Sequence, residues 1–67
     1  MENYTLCKAD LPEAYKYEYS FKNGEVFIFM GELTNMKGHC IVVRLSDGKL
    51  FFCFSIDNFV ELKEDEL

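Results

Sequence analysis

Four side chains in this 67-residue chain are of types that bind metals or attack substrates: Cys7, His39, Cys40 and Cys53. Structural zinc sites usually contain two closely spaced cysteines, and no Cys-x-x-Cys element occurs here. His39 and Cys40 are neighbours on a predicted strand, and neighbouring strand residues point to opposite faces. They therefore cannot hold one ion together or form a nucleophile–base pair, which needs a hydrogen bond between the two side chains. We expect no metal, no cofactor, and cysteines that pack as small apolar groups.

The rest of the sequence offers no other catalytic arrangement. It contains no glycine-rich phosphate loop, no serine elbow and no pair of carboxylates in an apolar setting. A chain this short also leaves little room for a substrate cavity. The single histidine fits a solvated residue at a loop end better than a pH switch. We therefore expect a protein that is not an enzyme.

Length, charge and cysteine content place the chain in a broad class. We expect one domain over residues 1–67, with a solvated acidic tail from about residue 63 rather than an acidic docking peptide. The formal charge of −5 and the pI near 4.6 disfavour binding to nucleic-acid phosphates. The start of the chain lacks a basic, apolar signal segment, no apolar run is long enough to span a membrane, and the cysteine count is odd. These features predict a cytoplasmic protein with free thiols.

The alternation of apolar and polar residues predicts an all-β fold. Asn23-Gly24 and Asp47-Gly48 are dipeptides typical of tight hairpin turns. Residues 55–58 (SIDN) favour a 3₁₀ turn, because Asp and Asn bond to their own backbone. Since there is no long helical pattern, we expect a small barrel or sandwich of about five or six short antiparallel strands. The predicted strands are 4–8, 15–21, 25–33, the two arms of a hairpin over 39–54, and 59–62.

Two-residue turns give each predicted hairpin an apolar face and an opposite face. The apolar faces predict the core, which would comprise Tyr17, Tyr19, Phe21, Val26, Ile28, Met30, Ile41, Val43, Leu45, Leu50, Phe52 and Phe54. The opposite faces carry apolar residues where a half-buried sheet should be polar: Phe27, Phe29, Val42, Phe51 and Cys53. One extra residue in a turn, or a bulge, would exchange the two faces of a strand.

Two short stretches carry a resemblance to a known family. SFKNGEVFIF (20–29) resembles the run of an SH3 domain in which a turn and Gly-Glu lead into a long strand. SIDNFVEL (55–62) is similar to the SH3 segment in which a 3₁₀ turn enters the last strand. The resemblance covers the order of elements over about residues 4–62 and implies a small SH3-like barrel. The chain also looks like small uncharacterised proteins of bacteria and phages.

The same comparison argues against the usual SH3 ligand. That family binds proline-rich peptides in a groove of aromatic side chains. In this chain the groove positions would fall near Ala9, Leu11, His39, Ile56 and Phe59, and there is no Trp. Because only the last of these positions keeps an aromatic side chain, the resemblance implies the fold without the proline-rich ligand.

The surplus apolar band has three explanations. The N-terminal segment, with Tyr4, Leu6 and Leu11, covers it, or a second copy of the chain does, or it is a docking site for another protein. We expect a protein–protein interaction module, an inhibitor or adaptor of a phage or mobile element acting on a host protein. Its predicted partner-binding residues are Phe27, Phe29, Val42, Arg44, Phe51 and Cys53. The alternatives are a nucleic-acid-binding small barrel and an accessory subunit of a larger assembly.

Overall fold

The computed structural model describes residues 1–12, 21–63 and 65, with the backbone alone at Cys53. The described chain is an all-β antiparallel sheet, as the sequence predicts. Its strands are β1 (Thr5–Ala9), β2 (Val26–Glu32), β3 (His39–Arg44), β4 (Leu50–Ser55) and β5 (Phe59–Glu61), with a 3₁₀ turn at Ile56–Asn58 between the last two.

The strands lie in the order β4-β3-β2-β1-β5, so the last strand of the chain pairs with the first. β4 and β5 are the two ends of this order, and the sheet of described strands is not closed into a barrel. The expected barrel closure is therefore wrong for this part of the chain. The predicted 3₁₀ turn is confirmed, and the Ser55 hydroxyl accepts a hydrogen bond from the backbone N–H of Asp57 at its start.

An aromatic cluster forms the centre of the core. The ring of Phe21 lies 4.9 Å from that of Phe27, 5.3 Å from that of Phe51 and 5.8 Å from that of Phe59, centroid to centroid. The first two contacts are edge-to-face, the arrangement that the ring quadrupole favours. The buried apolar residues are Cys7, Ala9, Leu11, Phe21, Phe27, Phe29, Cys40, Val42, Phe51 and Phe59.

The predicted inside and outside of the sheet are exchanged. Phe27 and Val42 are 0% exposed and Phe51 is 6% exposed, so the surplus band is the core. Leu45, Leu50 and Phe52, predicted to be inside, are exposed. The other predicted core residues of the sheet, Val26, Ile28, Met30, Ile41 and Val43, are half-buried. Phe21 is buried as predicted, Phe54 packs partly against the core, and Tyr17 and Tyr19 lie outside the described residues.

Two irregularities change the predicted register of the second hairpin. Val43 pairs with Leu50 and Ile41 with Phe52, so the loop spans residues 45–48 instead of the Asp47-Gly48 pair alone. The backbone N–H of Gly48 donates to the carbonyl of Arg44, and Gly48 has a φ of 72°, which suits glycine. A second shift falls between Cys40 and Ile41, and it brings Phe54 toward the core side.

The exchange of faces has a physical reason. Both faces of β2, β3 and β4 are apolar, so strand alternation separates the faces without saying which one is inside. The inner face is determined by Leu11, Phe21 and Phe59, because they lie outside these three strands and belong to the same cluster as Phe27 and Phe51. The explanation in which the N-terminal segment covers the surplus band is therefore supported for Leu11, whereas Tyr4 is exposed.

Candidate functional site

The candidate site is the face of β2, β3 and β4 that points away from the core, here called the outer face. Three of its large apolar side chains are exposed: Leu45 at 54%, Leu50 at 53% and Phe52 at 60%. Single exposed apolar residues are common on protein surfaces, but contiguous ones mark interaction sites.

Strand pairing makes the outer face continuous. Val43 lies opposite Ile28 on one side and Leu50 on the other, which gives an apolar row across three strands. Ile41 lies opposite Phe52 in a parallel row. Because directly opposed residues of an antiparallel pair share a face, these side chains are neighbours on one surface.

The loop at the end of β3 extends the outer face. The backbone N–H of Leu45 donates to the carbonyl of Val26 over 2.9 Å, which places Leu45 beside the start of β2. Glu25, Val26, Leu45 and Ser46 line a shallow cavity at this point. This cavity could therefore accept an apolar side chain beside the exposed Leu45.

A charged cluster lies at the same end of the sheet. Arg44 donates from Nε to Asp47 Oδ1 over 3.0 Å and from Nη2 to Asp47 Oδ2 over 2.8 Å, a bidentate pair. Its Nη1 lies 3.4 Å from Oε1 of Glu25. Hydrogen bonds from Arg44 lower the pKa of Asp47 to about 2, with a further contribution from the backbone N–H of Lys49. The guanidinium also lies 5.2 Å from the centroid of the Phe51 ring.

The predicted partner-binding residues are placed mainly inside the protein. Phe27, Phe29, Val42 and Phe51 are buried in the core and are not accessible to a partner in the folded chain. The prediction that they form an exposed band is wrong, because the assignment of the two faces was inverted. Arg44 is near the surface but engaged by two carboxylates. The side chain of Cys53 lies outside the described part.

The described cysteines do not resemble nucleophiles. Burial raises the pKa of the Cys7 thiol to about 11, and the nearby Cys40 adds to the effect. Burial likewise raises the pKa of Cys40 to about 11, with a smaller contribution from Glu32. Both thiols are therefore protonated at neutral pH, whereas the thiolate is the reactive form. Nδ1 of His39 lies 3.2 Å from the carbonyl oxygen of Lys37, and His39 is half-buried beside the fully buried Cys40.

The positions that would form an SH3 peptide groove do not line an open surface. Ala9, Leu11 and Phe59 are buried, and Ile56 is half-buried against the core. A groove for an extended proline-rich segment needs exposed aromatic ridges. Among the described residues, these positions supply packing instead.

The described residues lack two other kinds of feature, a metal-binding cluster and a membrane-spanning helix. No group of three or more His, Cys, Asp or Glu side chains within ranges 1–12 and 21–63 could hold a metal ion. No helix in the described part is long and apolar enough to cross a membrane.

Comparisons of the chain with protein-family models, with curated proteins and with solved structures found no match.

Sequence reasoning missed Leu45, Leu50 and Phe52 as site residues. One signal was present in the stretch VVRLSDGKLFF (42–52), where large apolar residues stand on both sides of the turn. Apolar residues close to a turn are poorly placed for a core, because loops lie at the surface. Their position pointed to the exposed end of the hairpin.

Proposed function

We propose that this chain is a protein-binding module and that the outer face is its docking surface. One observation carries the proposal: Leu45, Leu50 and Phe52 are all more than half exposed. Strand pairing places Leu50 and Phe52 on one apolar surface, and the hydrogen bond to Val26 places Leu45 at its loop end. A fully buried side chain of this size contributes roughly 1.5–3 kcal/mol relative to an exposed one. A partner that covers the outer face gains only part of this free energy at each side chain, because each is already about half buried in the free protein.

The polar surroundings of the outer face support a protein partner. Interface centres are depleted of charge and enriched in aromatic residues, with charged groups at the rim. Phe52 is an exposed aromatic residue of the outer face, and Lys49, Asp47 and Glu25 lie toward the loop end of that face. We assign Phe52 as the main anchor, because it is a large exposed aromatic side chain and large aromatics carry much of the binding energy of protein interfaces.

Nucleic acid is the weaker candidate ligand. The net charge of −5 opposes approach to phosphates, and Arg44 beside the outer face is bound by Asp47 and Glu25. Releasing Arg44 for a phosphate would leave both carboxylates without their cation. A fluorescence titration with single-stranded DNA at low salt is expected to show no binding.

The SH3-like assignment belongs to this proposal. Its support is the order of elements: a hairpin of β3 and β4, a 3₁₀ turn at Ile56–Asn58, and a short last strand that pairs with the first. We propose an SH3-like fold that binds its partner through the outer face and not through a proline-rich peptide groove. A small inhibitor or adaptor that covers one surface of a host protein fits a module of this size.

The test is affinity capture with three forms of the full chain. Wild type, Leu45→Lys and Val60→Lys are immobilised at equal density, and the captured proteins are identified by mass spectrometry. Val60 is the matched control, since it is an exposed apolar residue on β5, at the other end of the sheet. We expect a protein that wild type and Val60→Lys capture and that Leu45→Lys does not. Equal capture by all three forms, or loss in Val60→Lys alone, would contradict the proposal.

A further inference from the structure

β4 lacks three of the features that usually protect the edge strand of a sheet, namely a short length, charged residues and proline. The register shift in its pairing with β3 lies beyond Phe52, so residues 50–52 stay regularly paired. Natural sheets blunt their edges with short strands, charged residues or proline. β5 follows this rule, with three residues that include Glu61. β4 has six residues, LFFCFS, with no charge and no proline. No described strand pairs with its outer edge.

The backbone hydrogen bonds of the hairpin show which residues point to that edge. The N–H of Arg44 donates to the carbonyl of Lys49 over 2.8 Å, so this pair is hydrogen-bonded. Hydrogen-bonded and non-hydrogen-bonded pairs alternate along antiparallel strands. The pairs Val43/Leu50 and Ile41/Phe52 are therefore non-hydrogen-bonded pairs. The backbone N–H and C=O groups of Leu50 and Phe52 are directed away from β3, toward the open edge.

Leu50 and Phe52 thus offer two kinds of contact in one place. Their backbone groups can continue the sheet, and their side chains are more than half exposed on the outer face. Only an extended strand can pair with these backbone groups. Only an extended strand with apolar residues at alternate positions can also cover the two side chains.

We propose that β4 pairs with β4 of a second copy of this chain, antiparallel about a two-fold axis. The register that uses both residues places Leu50 of each copy opposite Phe52 of the other. Those side chains then lie on the same face, since opposed residues of an antiparallel pair share a face. The outer faces of the two copies become one surface.

Charge favours this edge for contact between two copies of an acidic chain. A strand without charged residues lets two molecules of formal charge −5 meet with no like charges directly opposed. β5 has only three residues and one of them is Glu61, so it offers two acidic chains a shorter and charged edge. Because both copies use the same edge, the pairing is isologous and stops at a dimer.

The dimer does not depend on the proposed function, because a monomer can bind a partner through the outer face. The first test is amide hydrogen exchange of the full chain, measured by NMR at a low and a high protein concentration. We expect the amides of Leu50 and Phe52 to become protected as concentration rises. The amide of Phe51, which faces β3, is expected to be protected at both concentrations.

The second test is sedimentation velocity of wild type, Phe52→Lys and Leu45→Lys. Both variants add a charge at an exposed apolar residue of the outer face, but only Phe52 lies on β4. We expect Phe52→Lys to be monomeric at concentrations where wild type and Leu45→Lys are dimers. Wild type that stays monomeric up to about 1 mM, or a dimer that Leu45→Lys dissociates equally, would overturn the proposal. So would dimer formation without protection of the Leu50 and Phe52 amides. If the wild-type chain is monomeric but still captures a partner through the outer face, the dimer is refuted and the proposed function is not.

Discussion

At the scale of single residues, burial determines what the thiols can do. Cys7 and Cys40 lie on core strands and are fully buried, and burial is the main cause of their raised pKa values. The prediction from sequence that cysteines pack as small apolar groups fits these two positions. That prediction was based on the sequence, in which the cysteines are not spaced as metal ligands or as part of a nucleophile–base pair.

The raised thiol pKa values make stability depend on alkaline pH. Each folded pKa of about 11 is above the ordinary value of 9.0, so folding favours the protonated thiol. That stabilisation is complete below about pH 9 and is lost as the pH rises toward 11. We expect the free energy of unfolding, measured by urea titration, to fall across this interval.

The matched control replaces Cys7 and Cys40 with alanine and keeps Cys53. The double variant keeps every other ionisable group of the chain, so the difference between the two pH slopes reports the two thiols. We expect a shallower slope in the variant. Equal slopes would mean that the thiols are not shielded from water in the folded chain.

At the scale of elements, the sequence predicted where the strands lie better than it predicted the length of the loop between β3 and β4. The expected strands 4–8, 25–33 and 59–62 correspond to β1, β2 and β5 within about two residues at each end. The Asp47-Gly48 turn was located correctly, but the loop is longer. The side chains of Arg44 and Asp47 form an ion pair at this loop. The residue preferences of a turn dipeptide do not predict such a contact.

The irregularity in β2 gives a prediction at this scale. Register shifts between Phe29 and Gly31, and Gly31 has a φ of 142°, a conformation that other residues rarely adopt. A Cβ there would also lie 3.2 Å from Oδ1 of Asn3. We expect Gly31→Ala to lower the free energy of unfolding by about 1–3 kcal/mol.

Gly48→Asn is the control for Gly31→Ala. Gly48 has a φ of 72°, which asparagine tolerates, and a Cβ at this position would meet no atom within 4 Å. The control is expected to cost less than Gly31→Ala in the same urea titration. A larger loss in Gly48→Asn would show that the turn, and not the β2 bulge, is the sensitive point.

At the scale of the whole molecule, the sequence could not decide which face of the sheet is inside. Alternation correctly grouped Ile41, Val43, Leu50 and Phe52 on one face, and pairing confirms that grouping. The core formed on the other face because Leu11, Phe21 and Phe59 pack there. That choice depends on contacts between residues far apart in the chain, which a local pattern does not record. Four of the predicted docking residues, Phe27, Phe29, Val42 and Phe51, are buried for this reason, and we propose the outer face in their place.

The central claim is that neighbouring phenylalanines have opposite roles, Phe51 in the core and Phe52 on the docking surface. The most direct measurement compares urea unfolding of Phe51→Ala and Phe52→Ala with wild type, at protein concentrations low enough to keep the chain monomeric. Phe51 contacts Phe21 and Phe27, so its loss should lower the free energy of unfolding by about 3–5 kcal/mol. Phe52 is 60% exposed, and its loss should change that free energy by about 0.5 kcal/mol or less. A loss in Phe52→Ala as large as that in Phe51→Ala would contradict the account, because it would place the outer face in the interior.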